Sequence, residues 1–261
     1  NKVKIYGKYA IVFHIAGNAI VENPGSVYAC TPSETGCDAD AMKTMTYYYI
    51  SSSGNLTLSS TQSLTSGTLV KLANGGKVNI SESANLSLLS GAENGKIIDA
   101  SSGGTVTNNG TLNLFSTKNS TAISAGSGAT VENYGNINIT QTDAVSRTGN
   151  IGILSSGAEV KNNGNITINT QNSYGMSISG GKTTNNSNIT VTTSNSTGVL
   201  VTGGEFENAS FGVITIRSGN PNNSINGGYG IDVSGGTATN NGAINVYGTN
   251  SAGVRVSGGT F

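Results

Sequence analysis

Few residues of this 261-residue sequence have the types and spacing that catalysis requires. The one histidine, His14, lies in the apolar stretch Ala-Ile-Val-Phe-His-Ile, where a structural role is favoured, and no Gly-x-Ser-x-Gly nucleophile motif accompanies it. A carbohydrate-cleaving enzyme needs clustered carboxylates, but the aspartates are scattered, at Asp38, Asp40, Asp99, Asp143 and Asp232. The sequence therefore predicts a protein that is not an enzyme, with no catalytic residue, metal ion or cofactor.

The two cysteines, Cys30 and Cys37, enclose Thr-Pro-Ser-Glu-Thr-Gly and allow three interpretations. A disulfide would close a small ring and imply an oxidising compartment, and it is the favoured reading. A metal site is disfavoured because no second cysteine pair exists, and two free thiols are the third possibility. The neighbouring Asp38 and Asp40 are more typical of a solvated acidic loop than of a calcium site.

The composition excludes several classes of protein. Glycine accounts for 38 residues, tryptophan is absent, and 13 basic residues balance 13 acidic ones. A coiled coil would need more Ala, Glu, Lys and Leu, and nucleic-acid binding would need a basic excess. No apolar run approaches the roughly 18 to 20 residues of a membrane helix, so we expect no membrane insertion.

Three short motifs recur along the chain and indicate a repeat. The first, Asn-x-Gly-x-Ile-x-Ile, is present at 108–114, 133–139, 162–168 and 240–246, and with Ser replacing Gly at 185–191. The second, Gly-Val-x-Val-x-Gly-Gly, is present at 175–181, 198–204, 230–236 and 253–259. The third is a Thr-Val-x-Asn segment that ends at the asparagine opening the first motif. Each motif alternates apolar and polar residues, as a half-buried strand does.

The repeat predicts an all-β fold, a right-handed parallel β-helix with three short strands per coil of about 23 residues. We expect residues 1–261 to form one such domain, a fragment of a longer protein, with an inserted loop at 30–46. Nine anchors of the first motif predict nine to ten coils. They are Val27, Leu56, Leu86, Leu112, Ile137, Ile166, Ile189, Ile214 and Ile244.

Stacked coils would place equivalent side chains in columns. An internal ladder of amide side chains is expected at one corner, from Asn108, Asn133, Asn162, Asn185, Asn208 and Asn240. Asp232 and Arg255 are 23 residues apart, at equivalent positions of successive coils, and should form an ion pair. An exposed polar ladder is expected from Asn113, Asn138, Thr167, Thr190, Thr215 and Asn245.

The long insertions all fall at the joint between the first motif and the next Gly-Val-x-Val strand, and therefore at one edge of the rod. They are the segments 30–46, 59–67, 140–151 and 217–229. Loops on a rigid scaffold commonly carry recognition, although loops are also tolerated where they have no role. The candidate partner-binding residues are Glu34, Asp38, Asp40, Gln62, Asp143, Arg147, Arg217, Asn220, Asn222 and Asn223.

The Asn-x-Gly-x-Ile-x-Ile and Gly-Val-x-Val-x-Gly-Gly repeats resemble the passenger domains of type V autotransporters of Gram-negative bacteria, most of all the large fusobacterial adhesins. The resemblance covers nearly the whole chain from about residue 10. It implies export through the outer membrane by a C-terminal β-barrel of the parent protein and a location at the bacterial cell surface. The cysteine pair departs from the family habit of avoiding cysteine.

The sequence is compatible with three hypotheses of function. The first is an adhesin that binds a protein or glycan of a host or partner cell through the edge loops. The second is a structural element that self-associates through its exposed Thr and Asn ladders. A carbohydrate-active β-helix enzyme is the third, and it would require a groove of clustered carboxylates.

Overall fold

In the computed structural model, residues 3–5, 9–21, 27–29, 43–141, 147–217 and 225–261 are described, and they form a parallel β-helix. The strands of the N-terminal part are β1 (Val3–Ile5), β2 (Ile11–Ile15), β3 (Asn18–Val21), β4 (Val27–Ala29), β5 (Thr46–Ile50), β6 (Asn55–Leu58), β7 (Gln62–Leu64), β8 (Thr68–Leu72) and β9 (Lys77–Ile80). The middle part contains β10 (Asn85–Leu88), β11 (Lys96–Ala100), β12 (Gly104–Asn108), β13 (Thr111–Phe115), β14 (Thr121–Gly126), β15 (Ala129–Asn133), β16 (Asn136–Thr140), β17 (Ile151–Asn162) and β18 (Ile166–Asn169). The C-terminal part contains β19 (Tyr174–Asn185), β20 (Asn188–Val191), β21 (Thr197–Val201), β22 (Glu205–Asn208), β23 (Val213–Ile216), β24 (Tyr229–Val233), β25 (Thr237–Asn240), β26 (Ala243–Val246) and β27 (Ala252–Val256).

The strands pair in parallel with their copies in the turns above and below, which produces three stacks. The first stack contains β2, β5, β8, β11, β14, β21, β24, β27 and the N-terminal halves of β17 and β19. The second contains β3, β6, β9, β12, β15, β22, β25 and the C-terminal halves of β17 and β19. The third contains β7, β10, β13, β16, β18, β20, β23 and β26. In the part of the chain so described, no helix is long and apolar enough to cross a membrane.

The predicted coil period is confirmed by the strand register. Ile178 pairs with Val201, Val201 with Val233, and Val233 with Val256, so the second motif stacks directly on its copies. Ile178, Val201 and Val233 are fully buried, and burial of each such side chain contributes roughly 1.5 to 3 kcal/mol. Alternation along each strand therefore fills the interior with apolar columns and leaves the other face polar.

The structure describes eight complete turns, with further strands at each end, against the nine to ten coils that the sequence predicts. The difference arises near the N-terminus. Leu56 pairs with Ala19 and Val78 in the second stack and is not an anchor of the third. Val27 pairs with Val3 in a separate two-stranded sheet.

Glycine allows the sharp corner between the first and second stacks in the C-terminal turns. Gly204 has a φ of 72°, a left-handed conformation that costs a residue with a side chain roughly 1 to 2 kcal/mol. Gly181 and Gly236 occupy the same corner in the adjacent turns and have similar φ values, 78° and 72°. The second glycine of the Gly-Gly ending is thus favoured by the backbone conformation of this corner.

Candidate functional site

The structure brings the six predicted asparagines together in one continuous ladder. The amide Nδ2 of each donates to Oδ1 of the next, over 2.6 to 2.8 Å, in the order Asn108, Asn133, Asn162, Asn185, Asn208 and Asn240. All but the last are fully buried. The ladder begins at Asn108, whose Oδ1 has no partner because the residue below it is Ile80. These amides hold successive turns together, and the five buried ones have no free surface for a ligand.

A second buried polar column lies at the corner where the third stack leads into the first. In this corner column, made of Ser120, Asn150, Ser173 and Ser196, the backbone N–H of each of the first three donates to the side-chain oxygen of the next, one turn above, over 3.1 to 3.3 Å. All four residues are fully buried. This column was not predicted from the sequence, although a Ser or Asn directly precedes the first-stack strands β14, β17, β19 and β21.

The corner column supports the edge from which the long loops leave. Between the third and first stacks, the joints 170–173, 192–196 and 247–251 are short, whereas 141–150 and 217–228 are long. Ile225 is buried near the end of the second long joint, which ties that joint to the core. Long and short joints therefore begin and end at equivalent places in the coil.

The described residues include part of the predicted partner-binding set. Arg147 is half-buried and Arg217 is exposed, each at one end of a long joint. The remaining predictions lie outside the described residues: Cys30 and Cys37 with their disulfide, Glu34, Asp38, Asp40, Asp143, Asn220, Asn222 and Asn223.

The prediction that Gln62 contacts a partner from a loop at 59–67 is wrong. Gln62 begins strand β7 and is only 7 % exposed, and it pairs with Leu86 in an inward column of the third stack. The Gln62 amide and the Tyr48 hydroxyl lie close enough to interact, but neither makes a hydrogen bond of good geometry within the described residues. Burial also raises the pKa of the Tyr48 phenol, so this hydroxyl stays protonated in the interior.

Replacing Gln62 by leucine is expected to stabilise the fold by about 1 to 2 kcal/mol, because a buried amide without a well-formed hydrogen bond costs its desolvation energy. Leucine has a similar volume and matches Leu86 in the same column. The midpoint of urea unfolding should rise. A midpoint that falls would show that the amide is satisfied in solution, and Ser63→Ala on the same strand serves as the exposed control.

Asp232 and Arg255 form the predicted pair across one turn. Arg255 Nε donates to Asp232 Oδ1 over 2.8 Å, Nη2 donates to Oδ2, and the guanidinium lies 4.0 Å from the centre of the Tyr229 ring. The hydrogen bond to Asp232 raises the pKa of Arg255 above its already high ordinary value. Because the arginine is half exposed, the pair contributes modestly to stability.

A shallow groove of about 470 Å³ lies on the outward face of the third stack, beside the loop edge. It is lined by Asn136, Asn165, Thr167, Asn188, Thr190, Thr215, Arg217, Asn245 and Tyr247. Four of these, Thr167, Thr190, Thr215 and Asn245, belong to the exposed ladder that the sequence predicts, and they pair in successive turns. Arg217 and Tyr247 border the same groove, which was not predicted from the sequence.

The described residues contain no group of three or more His, Cys, Asp or Glu side chains that could hold a metal ion. His14 is exposed and contacts the Tyr49 ring, with the ring centres 5.4 Å apart. This contact gives it a packing partner of the kind expected for a structural histidine.

Comparison with known proteins identifies a family. Residues 46–261 match the family described as the BigA third pectate lyase-like domain. No curated protein and no solved structure matches the chain. The family match and the stacked coils together fit a β-helical protein of the passenger or adhesin type.

Proposed function

We propose that this chain, which belongs to the BigA third pectate lyase-like domain family, is a non-enzymatic adhesive segment of a bacterial surface protein. It is exported through the outer membrane as part of an autotransporter passenger and stands at the cell surface. It binds a protein or glycan of a host or partner cell through the loops on one edge of the rod.

The observation that carries this proposal is the position of the two long joints. Both leave the corner between the third and first stacks, and short joints occupy the turns between them. The corner column beneath them links successive turns through buried hydrogen bonds. A rigid scaffold of this kind fixes the ends of its loops, so that little ordering is needed when they meet a partner.

Exchanging each long joint for a short one from the neighbouring turn tests the proposal. Residues 141–150 are replaced by the sequence of 170–173, and residues 218–228 by that of 193–196. The exchanges preserve register, because Ile139 pairs with Ile168, Ile216 with Val191, and Tyr229 with Thr197. We expect binding of the purified protein to epithelial or partner bacterial cells to fall at least tenfold in one exchange or in both combined.

A matched control separates loss of contact from loss of folding. Exchanging the short joint 170–173 for 193–196, which changes only Gln171 to Ser, alters the same corner without removing a long loop. This control should bind cells like the parent. All variants should unfold in one cooperative urea transition, with a lower midpoint for the 218–228 exchange because it removes the buried Ile225. Unchanged cell binding by the double exchange would eliminate the edge loops as the contact surface.

A further inference from the structure

The groove on the third stack contains polar groups that the protein itself leaves unused. The hydroxyls of Thr167, Thr190 and Thr215 make no side-chain hydrogen bond within the described residues, although they lie in one column. By contrast, the hydroxyl of Thr192, which directly follows strand β20 of this stack, donates to the Ile168 carbonyl over 3.0 Å. A threonine hydroxyl at the end of this stack can therefore bond to a backbone carbonyl, whereas the three threonine hydroxyls of the groove do not.

The asparagines that flank this column keep part of their hydrogen-bonding capacity. Asn165 Nδ2 donates to Asn136 Oδ1 over 3.2 Å, and Asn188 Nδ2 donates to Asn165 Oδ1 over 3.1 Å. An amide has two donors and an oxygen with two lone pairs, so each side chain retains sites for an external partner. The groove thus offers parallel rows of donors and acceptors at the spacing of the coils.

Arg217 and Tyr247 leave the third stack at the same position in successive turns. The backbone N–H of Arg217 donates to the Val191 carbonyl, and that of Tyr247 donates to the Ile216 carbonyl. Arg217 is exposed and the Tyr247 side chain is 71 % exposed, and neither makes a side-chain hydrogen bond or ion pair within the described residues. The described lining contains no carboxylate, so Arg217 is an available cation beside an available aromatic face.

The shape and the chemistry of this surface select among ligand classes. The groove spans β16 to β26, five strands in succession, which corresponds to about 19 Å along the rod. The interior strands of the stack are paired on both sides, so a peptide cannot add as a further strand there. One arginine is too little charge for nucleic acid, and the amide and hydroxyl rows do not suit an apolar ligand.

We propose that this groove binds a linear anionic polysaccharide. The threonine hydroxyls and asparagine amides bond to the sugar hydroxyls, Tyr247 packs against the apolar face of a sugar ring, and Arg217 binds a carboxylate or sulfate of the chain. The inference rests on the adhesive function proposed above, since it names a ligand class for that adhesion. It adds a binding surface on the sheet face beside the loops.

The test is an array of linear oligosaccharides of four or more sugars, bearing uronate, sialate or sulfate groups, each with its uncharged counterpart. We expect at least one acidic series to bind at least tenfold more tightly than its counterpart, and the series that binds identifies the acidic group. Binding to none, equal binding of charged and uncharged forms, or capture of protein partners alone would overturn the proposal.

Substitutions then locate the binding. Thr190→Val and Thr215→Val keep the β-branched shape and remove one hydroxyl each, and Arg217→Gln and Tyr247→Ser remove the cation and the ring. Each should weaken oligosaccharide binding at least fivefold with an unchanged urea midpoint. Thr184→Val, on the outward face of the second stack, should change nothing. Equal affinity of the four groove variants and the parent would contradict the assignment.

Cell binding by the same variants separates this inference from the proposed function. Suppose that the joint exchanges abolish cell binding, whereas the groove variants keep both cell binding and oligosaccharide affinity. The groove assignment then fails, and the adhesive function stands. If the parent binds no cells, the adhesive function fails, and the array still decides whether the groove takes acidic glycans.

Discussion

Gly204→Ala should destabilise the protein by about 3 kcal/mol or more and lower its urea midpoint accordingly. A Cβ atom at Gly204 would lie 2.7 Å from three backbone atoms of the turn below, the Cα and carbonyl carbon of Gly180 and the oxygen of Gly181. Backbone atoms of a stacked turn cannot move aside without breaking the pairing of the coils. The φ of 72° adds the cost of a left-handed conformation, roughly 1 to 2 kcal/mol for a residue with a side chain.

Gly128→Ala is the matched control for that experiment. Gly128 has a φ of 78° and also lies between the first and second stacks, but a Cβ there would meet nothing within 4 Å. This variant should lose only the free energy of the left-handed conformation, about 1 to 2 kcal/mol of stability. Equal midpoints for the two variants would show that the steric contact between turns contributes nothing, and that conformation alone selects glycine at this corner.

The sequence predicted the C-terminal turns well because each stack there has its own marker. The second motif ends in Gly-Gly, the second-stack strand ends in Asn, and the third-stack strand follows directly. N-terminal to Asn108 the marker is missing, since Ile80 and Leu58 occupy the asparagine slot. Without that marker, second-stack and third-stack strands show the same alternation of apolar and polar residues. The sequence therefore placed Leu56 in the wrong stack and Gln62 in a loop.

The binding surfaces were harder to predict than the coil, for a physical reason. Ser120, Ser173 and Ser196 have a residue type that is usually exposed, and the N–H groups that bond to their side-chain oxygens in the interior come from the turn below. The groove likewise depends on neighbours in space. Arg217 and Tyr247 are 30 residues apart in sequence, with a long joint between them, and only the stacking of the coils places them together.

The asparagine ladder should be the most sensitive polar feature of the fold. In Asn162→Ala, Asn133 Nδ2 loses an acceptor at 2.7 Å and Asn185 Oδ1 loses a donor at 2.8 Å, both in the dry interior. Two unsatisfied buried groups and a small cavity should cost about 2 to 4 kcal/mol in total. Asn165→Ala, an exposed position in the same turn, should change the free energy of unfolding by no more than about 0.5 kcal/mol.

Asn162→Asp distinguishes lost hydrogen bonds from lost packing, because aspartate has nearly the shape of asparagine. Desolvation raises the pKa of a buried carboxyl above its ordinary value of about 3.9, and as an anion it cannot donate to Asn185. The folded state then takes up a proton more readily than the unfolded state, so the destabilisation is largest at neutral pH and shrinks as the pH falls toward 4. Urea unfolding of the variant and its parent at pH 7 and pH 4 measures this difference. A penalty that is equal at both pH values would mean that the ladder acts through packing alone, without a requirement for a donor at each position.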